Sequence, residues 1–359
     1  MYCVGYYTRE ECHIDLLRLC SFAKAVLVHT EVVGLDIVNQ EIFCSDGRPP
    51  IKYDVLSINV GITPKPFLHS STLTSQSKQN FNLGITPVKP IDGFCSRWDN
   101  ILERLRSIAL DRSKCDVFNI AVVGGGAGGV ELCFAMHYRM GIELSRLNVS
   151  HFAVKVSLFS SGKSVLSSHC PAAREIVHRL LNEKGIDVHT DANICNVERN
   201  ESASKLTVIS TSGLRFVCDE VIWCTQAIGQ VASWTNGHGG MSLECNENGF
   251  INVKPTLQSV SVPNVFAAGD ICNNLTYPRP KAGVFAVRAG PPLVANIRHY
   301  LLKEPLEDWI PQVDFLGIIG CGDGYAVASK GGMAVEGRHL WKLKDKIDRC
   351  ENALCISIV

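Results

Sequence analysis

Charge of one sign is missing from this chain of 359 residues, in which Lys and Arg total 35 and so do Asp and Glu. With no net field there is nothing to steer it to nucleic acid or to an acidic membrane surface, and no nucleic-acid partner is expected. No uninterrupted apolar run approaches the roughly twenty residues of a membrane-spanning helix, which predicts a soluble or at most peripheral protein. The sixteen cysteines include no C-x-x-C pair, so a dithiol electron relay of that kind, and with it disulfide reductase chemistry, is not expected. There is no Ser-His-Asp elbow, and the eleven histidines fall without ligand spacing, so neither acyl transfer nor a metal site is predicted. The opening MYCVGYYTREECHIDLL has neither the apolar core of a secretory signal nor the Arg- and Ser-rich, acid-poor character of a transit peptide. Cysteines scattered through apparent strands and helices read as reduced, mostly buried thiols, which points to an intracellular, reducing compartment and names no organelle.

What is present is a globular composition, 46% hydrophobic and 19% charged, in a chain long enough for two cores. The most informative stretch is NIAVVGGGAGGVELCFAM from Asn119. There Ile120 to Val123 make a buried β-type run, Gly124-x-Gly126-x-x-Gly129 a turn, and Val130 to Met136 a helix-forming segment. This strand–turn–helix setting is what a dinucleotide pyrophosphate requires. Gly124 permits the tight turn, Gly126 lets the backbone approach the anion, and Gly129 lets the helix pack closely on the strand. The diphosphate then meets the free N–H groups and positive dipole end of the helix.

Along the rest of the chain, Thr8-Arg-Glu-Glu11 reads as a capping box, predicting a helix from Arg9 that turns Ile14, Leu16, Leu17 and Leu19 inward. Residues 26 to 60 alternate like strands, with Asp46-Gly47 as a turn, and end in YDVLSINVGITP, a buried strand running into a glycine turn at Gly61. Ser70 to Asn82 is polar and is the expected loop or linker. Asp92 to Ile108 reads as an amphipathic helix, and KVSLFSSGKSVL from Lys155 as the second strand of the dinucleotide unit with its exit loop. Pro171 to Lys184 reads as a helix stopped by Gly185. DEVIWCTQAIG from Asp219 echoes YDVLSINVG, a hint of two related domains. Further on come NVFAAGD closing at Asp270, a long apolar helix over Lys281 to Leu302, a strand in VDFLGIIG, and a basic amphipathic helix from Gly337 to Arg349, whose pattern CENALCISIV does not extend.

The glycine turn at Gly124 together with NVFAAGD resembles the two-dinucleotide-binding-domain flavoproteins, the superfamily of disulfide reductases, apoptosis-inducing-factor-like proteins and type II NADH dehydrogenases. RPKAGVFAVRAGPPLVANI from Arg279 and VKPIDGF from Val88 are similar, more narrowly, to the type II NAD(P)H dehydrogenase-like module found fused to selenophosphate synthetase. The resemblance implies an α/β fold of two Rossmann-like domains, with the NAD(P) domain inserted in the FAD domain. The expected segments are 1–116 and 228–310 for the FAD domain, 117–227 for the NAD(P) domain, and 311–359 as a C-terminal strand and helix. It implies FAD-dependent oxidation of NADPH or NADH, with electrons passed to a quinone-like or other small acceptor. Asp270, with Ala268 and Gly269, matches the motif that binds the flavin ribityl chain, and Gly61 the turn bordering the flavin. Lys281, Ala282 and Gly283 open the long apolar helix. If that helix points at the flavin pyrimidine edge, its dipole and Lys281 favour the anionic reduced ring; a solvated lysine on a core helix is the other reading. Glu131 matches a residue near the reacting rings, or else is a carboxylate stabilised by the dipole of its own helix.

Two departures from the family accompany the match. The first G-x-G-x-x-G of the outer domain is not in this sequence, so that domain is expected to be incomplete at its N-terminus and firm FAD binding is in question. This leaves a non-catalytic nucleotide-binding remnant, or a partner module of selenophosphate synthetase, as the alternative. The second departure is Ser160, followed by Ser161 and Lys163, where an acid would hold an NAD ribose. Without that carboxylate a 2′-phosphate is not repelled and Lys163 is placed to pair with it, whereas Ser160 bonding the ribose hydroxyl is the alternative. A homodimer and peripheral membrane contact through GRHLWKLKDKIDR complete the expected partners, with domain packing as the competing role for that helix.

Overall fold

The computed structural model describes residues 2–64, 85–89, 91–111, 117–200, 205–225, 227–229 and 243–357. The polar stretch 70–82 lies outside these. The helices are α1 (Leu16–Phe22), α2 (Phe94–Leu110), α3 (Ala127–Leu147), α4 (Pro171–Glu183), α5 (Gly283–Leu302) and α6 (Arg338–Ser357). The chain forms two compact units, residues 1–26, 64–226 and 316–359 in one, 27–63 and 227–315 in the other.

The first unit is built on a parallel sheet. Its strands are β1 (Ile85–Pro87), β2 (Val117–Val123), β3 (Ala153–Phe159), β4 (Asp187–His189) and β5 (Glu220–Trp223), in the spatial order β1-β5-β2-β3-β4. β2 is buried along nearly its whole length because both sheet faces are covered, which is why it reads as a continuous apolar run. Ile120 and Val122 join a core with α2, α3 and α4. Ala121 and Val123 point the other way, towards an antiparallel sheet of 194–200, 205–210 and 215–218. In α2, Trp98, Ile101, Leu102, Leu105 and Ala109 are buried, the spacing of a single helical face. Pro171 opens α4 where its missing N–H costs nothing, and Gly185 follows the helix at φ +69°.

Chain ends divide differently from the expected segments. Cys3 and Val4 enter the core of α2 and α3, and the Tyr6 ring meets Trp341 of α6 at 5.0 Å. A hairpin sheet of β6 (Gly317–Gly320), β7 (Ala326–Lys330) and β8 (Met333–Gly337) lies with α6 in this same unit. Residues 1–26 and 64–116 therefore belong with the dinucleotide unit and not with the rest of 1–116, and 316–359 is part of it as well. The Thr8 capping box forms, with Thr8 N–H donating to Glu11 at 2.8 Å, but it is followed by only a 3-10 turn over Glu10–Cys12. The helix begins at Leu16, capped by Asp15, and leaves Leu16 56% and Leu17 68% exposed, contrary to the inward face expected of them. α6 continues to Ser357 through the segment expected to end it, because nothing from Arg349 onward is a helix breaker.

In the second unit, 56–58 pairs in parallel with 265–267, and 251–253 with 272–274. Gly47 turns the hairpin between 41–44 and 51–52 at φ +75°. α5 packs Ala289 and Leu293 against Phe266 and Leu257. It runs on through Pro291 and Pro292, whose missing N–H groups this burial must offset. Asn296, almost fully buried, donates to the carbonyls of Thr256 and Glu307 and accepts from Glu307 N–H at 2.8 Å. No helix among the described residues is long and apolar enough to cross a membrane.

Candidate dinucleotide sites

In the first unit, β2 delivers the chain to Gly124 at φ +131°, a backbone conformation closed to other residues. Its N–H donates to the carbonyl of Phe159 at the end of β3 at 2.8 Å. A Cβ on Gly129 would lie 1.9 Å from the Gly124 carbonyl oxygen, so α3 sits on the turn at a distance only glycine allows. A Cβ on Gly126 would meet nothing within 4 Å; this glycine faces open space at the helix start. Gly126 is the N-cap and supplies no side-chain acceptor, which leaves the first N–H groups of a 21-residue helix for a ligand. The turn therefore fits a dinucleotide diphosphate.

The loop after β3 is fastened to this turn. Ser160 is buried, its hydroxyl donates to the Ser164 carbonyl at 3.4 Å, and it occupies the place of a Gly125 side chain, whose Cβ would lie 2.4 Å from it. Leu166, held at φ +54°, donates its N–H to the Gly125 carbonyl at 2.7 Å. Lys163 is exposed on the same loop. Arg174, from the first turn of α4, donates to Ser164 Oγ at 3.2 Å; nothing in the local sequence marked it. Glu131 is engaged elsewhere in the unit, accepting from Gly320 N–H at 2.7 Å with Lys344 Nζ 3.6 Å away. In this position it ties α3 to the C-terminal hairpin and α6.

In the second unit, Ala268 is extended and Gly269 adopts φ +71°, turning Asp270 into a short 3-10 turn over Gly269–Ile271. Gly61, after the strand paired with 265–267, is at φ +72°. α5 starts at Gly283 with Ala282 as its extended N-cap, so Lys281 precedes the helix, two residues later than expected for its start. Gly269, Asp270, Asn274, Lys281, Ala282 and Phe285 line one cleft. Lys281 Nζ donates to the Cys272 carbonyl and stands 4.2 Å from the Phe250 ring centroid, and burial lowers its pKa. Asn274 is 8% exposed and its Nδ2 has no hydrogen-bond partner, an amide that a polar ligand in the cleft would satisfy. With the positive-φ glycine beside Asp270, this cleft fits the ribityl and ring end of a flavin.

Other chemistry is not assembled. No group of His, Cys, Asp and Glu suited to a metal occurs among the described residues. Cysteines there are unpaired, and burial pushes the Cys218 and Cys321 thiols up to about 12, away from nucleophilic thiolate. One C-x-x-x-x-C spacing exists in the sequence, Cys350 and Cys355, both within α6.

A family model described as pyridine nucleotide-disulphide oxidoreductase matches residues 24–290. The chain is 26% identical over 210 residues to ferroptosis suppressor protein 1 of Taeniopygia guttata, covering 57% of this chain and 52% of that protein. It is 24% identical over 259 residues to the demethylphylloquinone reductase of Synechocystis sp., covering 71% and 55%. The chain thus spans about half the length of the curated relatives it matches. Its fold matches that of the sulfide:quinone oxidoreductase from Aquifex aeolicus with a TM-score of 0.72 at 14% identity, over 97% of this chain and 79% of that one.

Proposed function

The chain belongs to the pyridine nucleotide-disulphide oxidoreductase family, and on that premise we propose that it is an FAD-dependent NAD(P)H dehydrogenase delivering electrons to a quinone-like acceptor. The observation that carries this is the Gly124 turn, where glycine is sterically required at 129 and the approach at 126 is open. When bound, the flavin supplies the redox chemistry that side chains lack, taking a hydride from reduced nicotinamide and releasing the electrons to the acceptor. The protein binds and orients. The turn and the start of α3 would hold the nicotinamide cofactor's diphosphate, and Asp270 would hold the ribityl chain of the flavin. The N–H groups at Gly283 present partial positive charge to the flavin cleft. Lys281, anchored on the Cys272 carbonyl, keeps a cation beside that cleft and fixes its wall against Phe250.

Quinone as the acceptor is supported by the likeness to the Synechocystis demethylphylloquinone reductase. Unpaired cysteines among the described residues support a reducing compartment. A second reading, a nucleotide-binding module without turnover, is supported by the Gly124 turn, whose fit to a diphosphate does not depend on a flavin.

The test is the visible spectrum of the purified protein with added FAD, followed by NADPH or NADH under anaerobic conditions. A flavin band that bleaches with nicotinamide is expected. Protein that stays colourless with FAD, yet binds ADP-ribose, is the result that leaves only the second reading.

A further inference from the structure

We propose that the loop after β3 and the start of α4 form a 2′-phosphate pocket, so that the nicotinamide substrate is NADPH. This rests on the dinucleotide reading of the Gly124 turn and adds the chemical class of its adenosine end. In a Rossmann unit the ribose hydroxyls are met just beyond the second strand, by an acid where NAD is used and by a cation where the 2′ position is phosphorylated. Here β3 ends at Phe159 and SSGKSVLSSH follows, ten residues without a carboxylate.

The structure adds what the sequence does not show. The loop is fixed to the glycine turn on two sides, through Ser160 against Gly125 and through Leu166 N–H on the Gly125 carbonyl, so residues 161–164 are held beside the ribose end of the diphosphate site. Arg174 reaches the same loop from α4. Its guanidinium makes one hydrogen bond, to Ser164 Oγ, and its Nε is buried without a partner. A half-buried guanidinium so sparsely satisfied is costly in a protein, and neither Arg174 nor Lys163 is engaged by a carboxylate among the described residues. Several other cations of this unit sit on acids, among them Arg104 on Glu220, Arg106 on Glu143, Arg179 on Glu336 and Lys205 on Asp219. Three acids are near: Asp191, whose N–H bonds the Gly162 carbonyl at 3.0 Å, Glu175, next to Arg174 on α4, and Glu183, which lines the same groove as Arg174 and is paired with Arg179. All three are exposed, where water and salt screen them. A phosphate dianion on this loop gains Lys163, the fork of Arg174 and the Ser161 and Ser164 hydroxyls, all of them charge-assisted donors.

Calorimetric titration of the purified protein with 2′,5′-ADP and with 5′-ADP decides the matter without turnover or flavin. Binding of 2′,5′-ADP about tenfold or more tighter than 5′-ADP is expected, with the ratio falling towards one in Lys163→Ala and in Arg174→Gln and inverting in Lys163→Glu. Lys163 is exposed, so its variants report even if Arg174→Gln folds poorly. Equal binding of the two nucleotides, or a ratio unmoved by Lys163→Ala, overturns the proposal while the dinucleotide site stands. Failure of both nucleotides to bind overturns the dinucleotide reading itself.

Discussion

Gly126 and Gly129 are both turn glycines in the sequence, yet the structure gives them opposite sensitivities. A methyl group at 129 would sit 1.9 Å from backbone, so Gly129→Ala forces α3 off the turn. It is expected to cost stability by about 2 kcal/mol or more, as overpacking does, and to abolish ADP-ribose binding. At 126 a methyl group meets no protein atom within 4 Å. Gly126→Ala is expected to melt within a few degrees of the parent and still to lose nucleotide affinity, because its Cβ enters the space the diphosphate takes. Thermal denaturation and calorimetric titration of the pair separate the two roles; a Gly126→Ala variant with parental affinity would remove the phosphate from that space. The same scale shows why Glu131 was open to two readings. In the sequence it follows the glycine turn closely enough for the dipole to account for it, but in the structure it stands in the second turn of α3, where that effect has fallen off, and its bond to Gly320 could not be foreseen from a residue so distant in sequence.

At the scale of elements, α2 and α3 are joined by one buried carboxylate. Glu143, 5% exposed, faces Arg106 at 2.8 Å, Arg139 at 2.9 Å and Arg146 at 3.3 Å. Burial pushes its pKa up, but the bonds and charge of Arg106 and Arg139 outweigh that and hold it below the ordinary 4.5. A depressed carboxylate contributes stability that is complete above its unfolded pKa and is lost as pH falls through the folded one. Glu143→Gln is therefore expected to destabilise by about 2 kcal/mol near neutral pH, less than a fully buried pair because the arginines remain partly hydrated. It should also flatten the acid side of the stability curve, read by urea unfolding between pH 7 and pH 3; an unchanged acid limb would show that the cluster is inert. Glu220 has the opposite sign, raised by burial despite Thr86 and Arg104, so its ionisation opposes folding as pH rises. Helices with a buried face were legible, α2 and α4 within a residue or two at each end, because periodicity encodes the face. α1 was misread because a capping box fixes the first turn and says nothing about whether the next one has anything to pack against.

On the scale of the molecule, the residues proposed for the nicotinamide cofactor's diphosphate lie wholly in the first unit, and those proposed for the flavin in the second. NADPH at a hundred times its dissociation constant is expected to stabilise the first unit by about 2.7 kcal/mol. In hydrogen exchange the added protection should appear over 124–130 and 160–166 and be absent from 265–283. Protection of 265–283 alone would relocate the nicotinamide cofactor.

The sequence alone determined the strand, turn and helix at Gly124 and the glycine-aspartate turn at 269 and 270. In both, the constraint lies in backbone geometry between residues at most a few positions apart, and glycine is the only residue that meets it. Only the tertiary structure decided that residues 1–26 and 316–359 pack with the dinucleotide unit, that Glu131 is held by Gly320, and that Arg174 reaches the Lys163 loop. Those pairings depend on which apolar faces bury one another, a cooperative outcome that many sequence positions share and none records by itself.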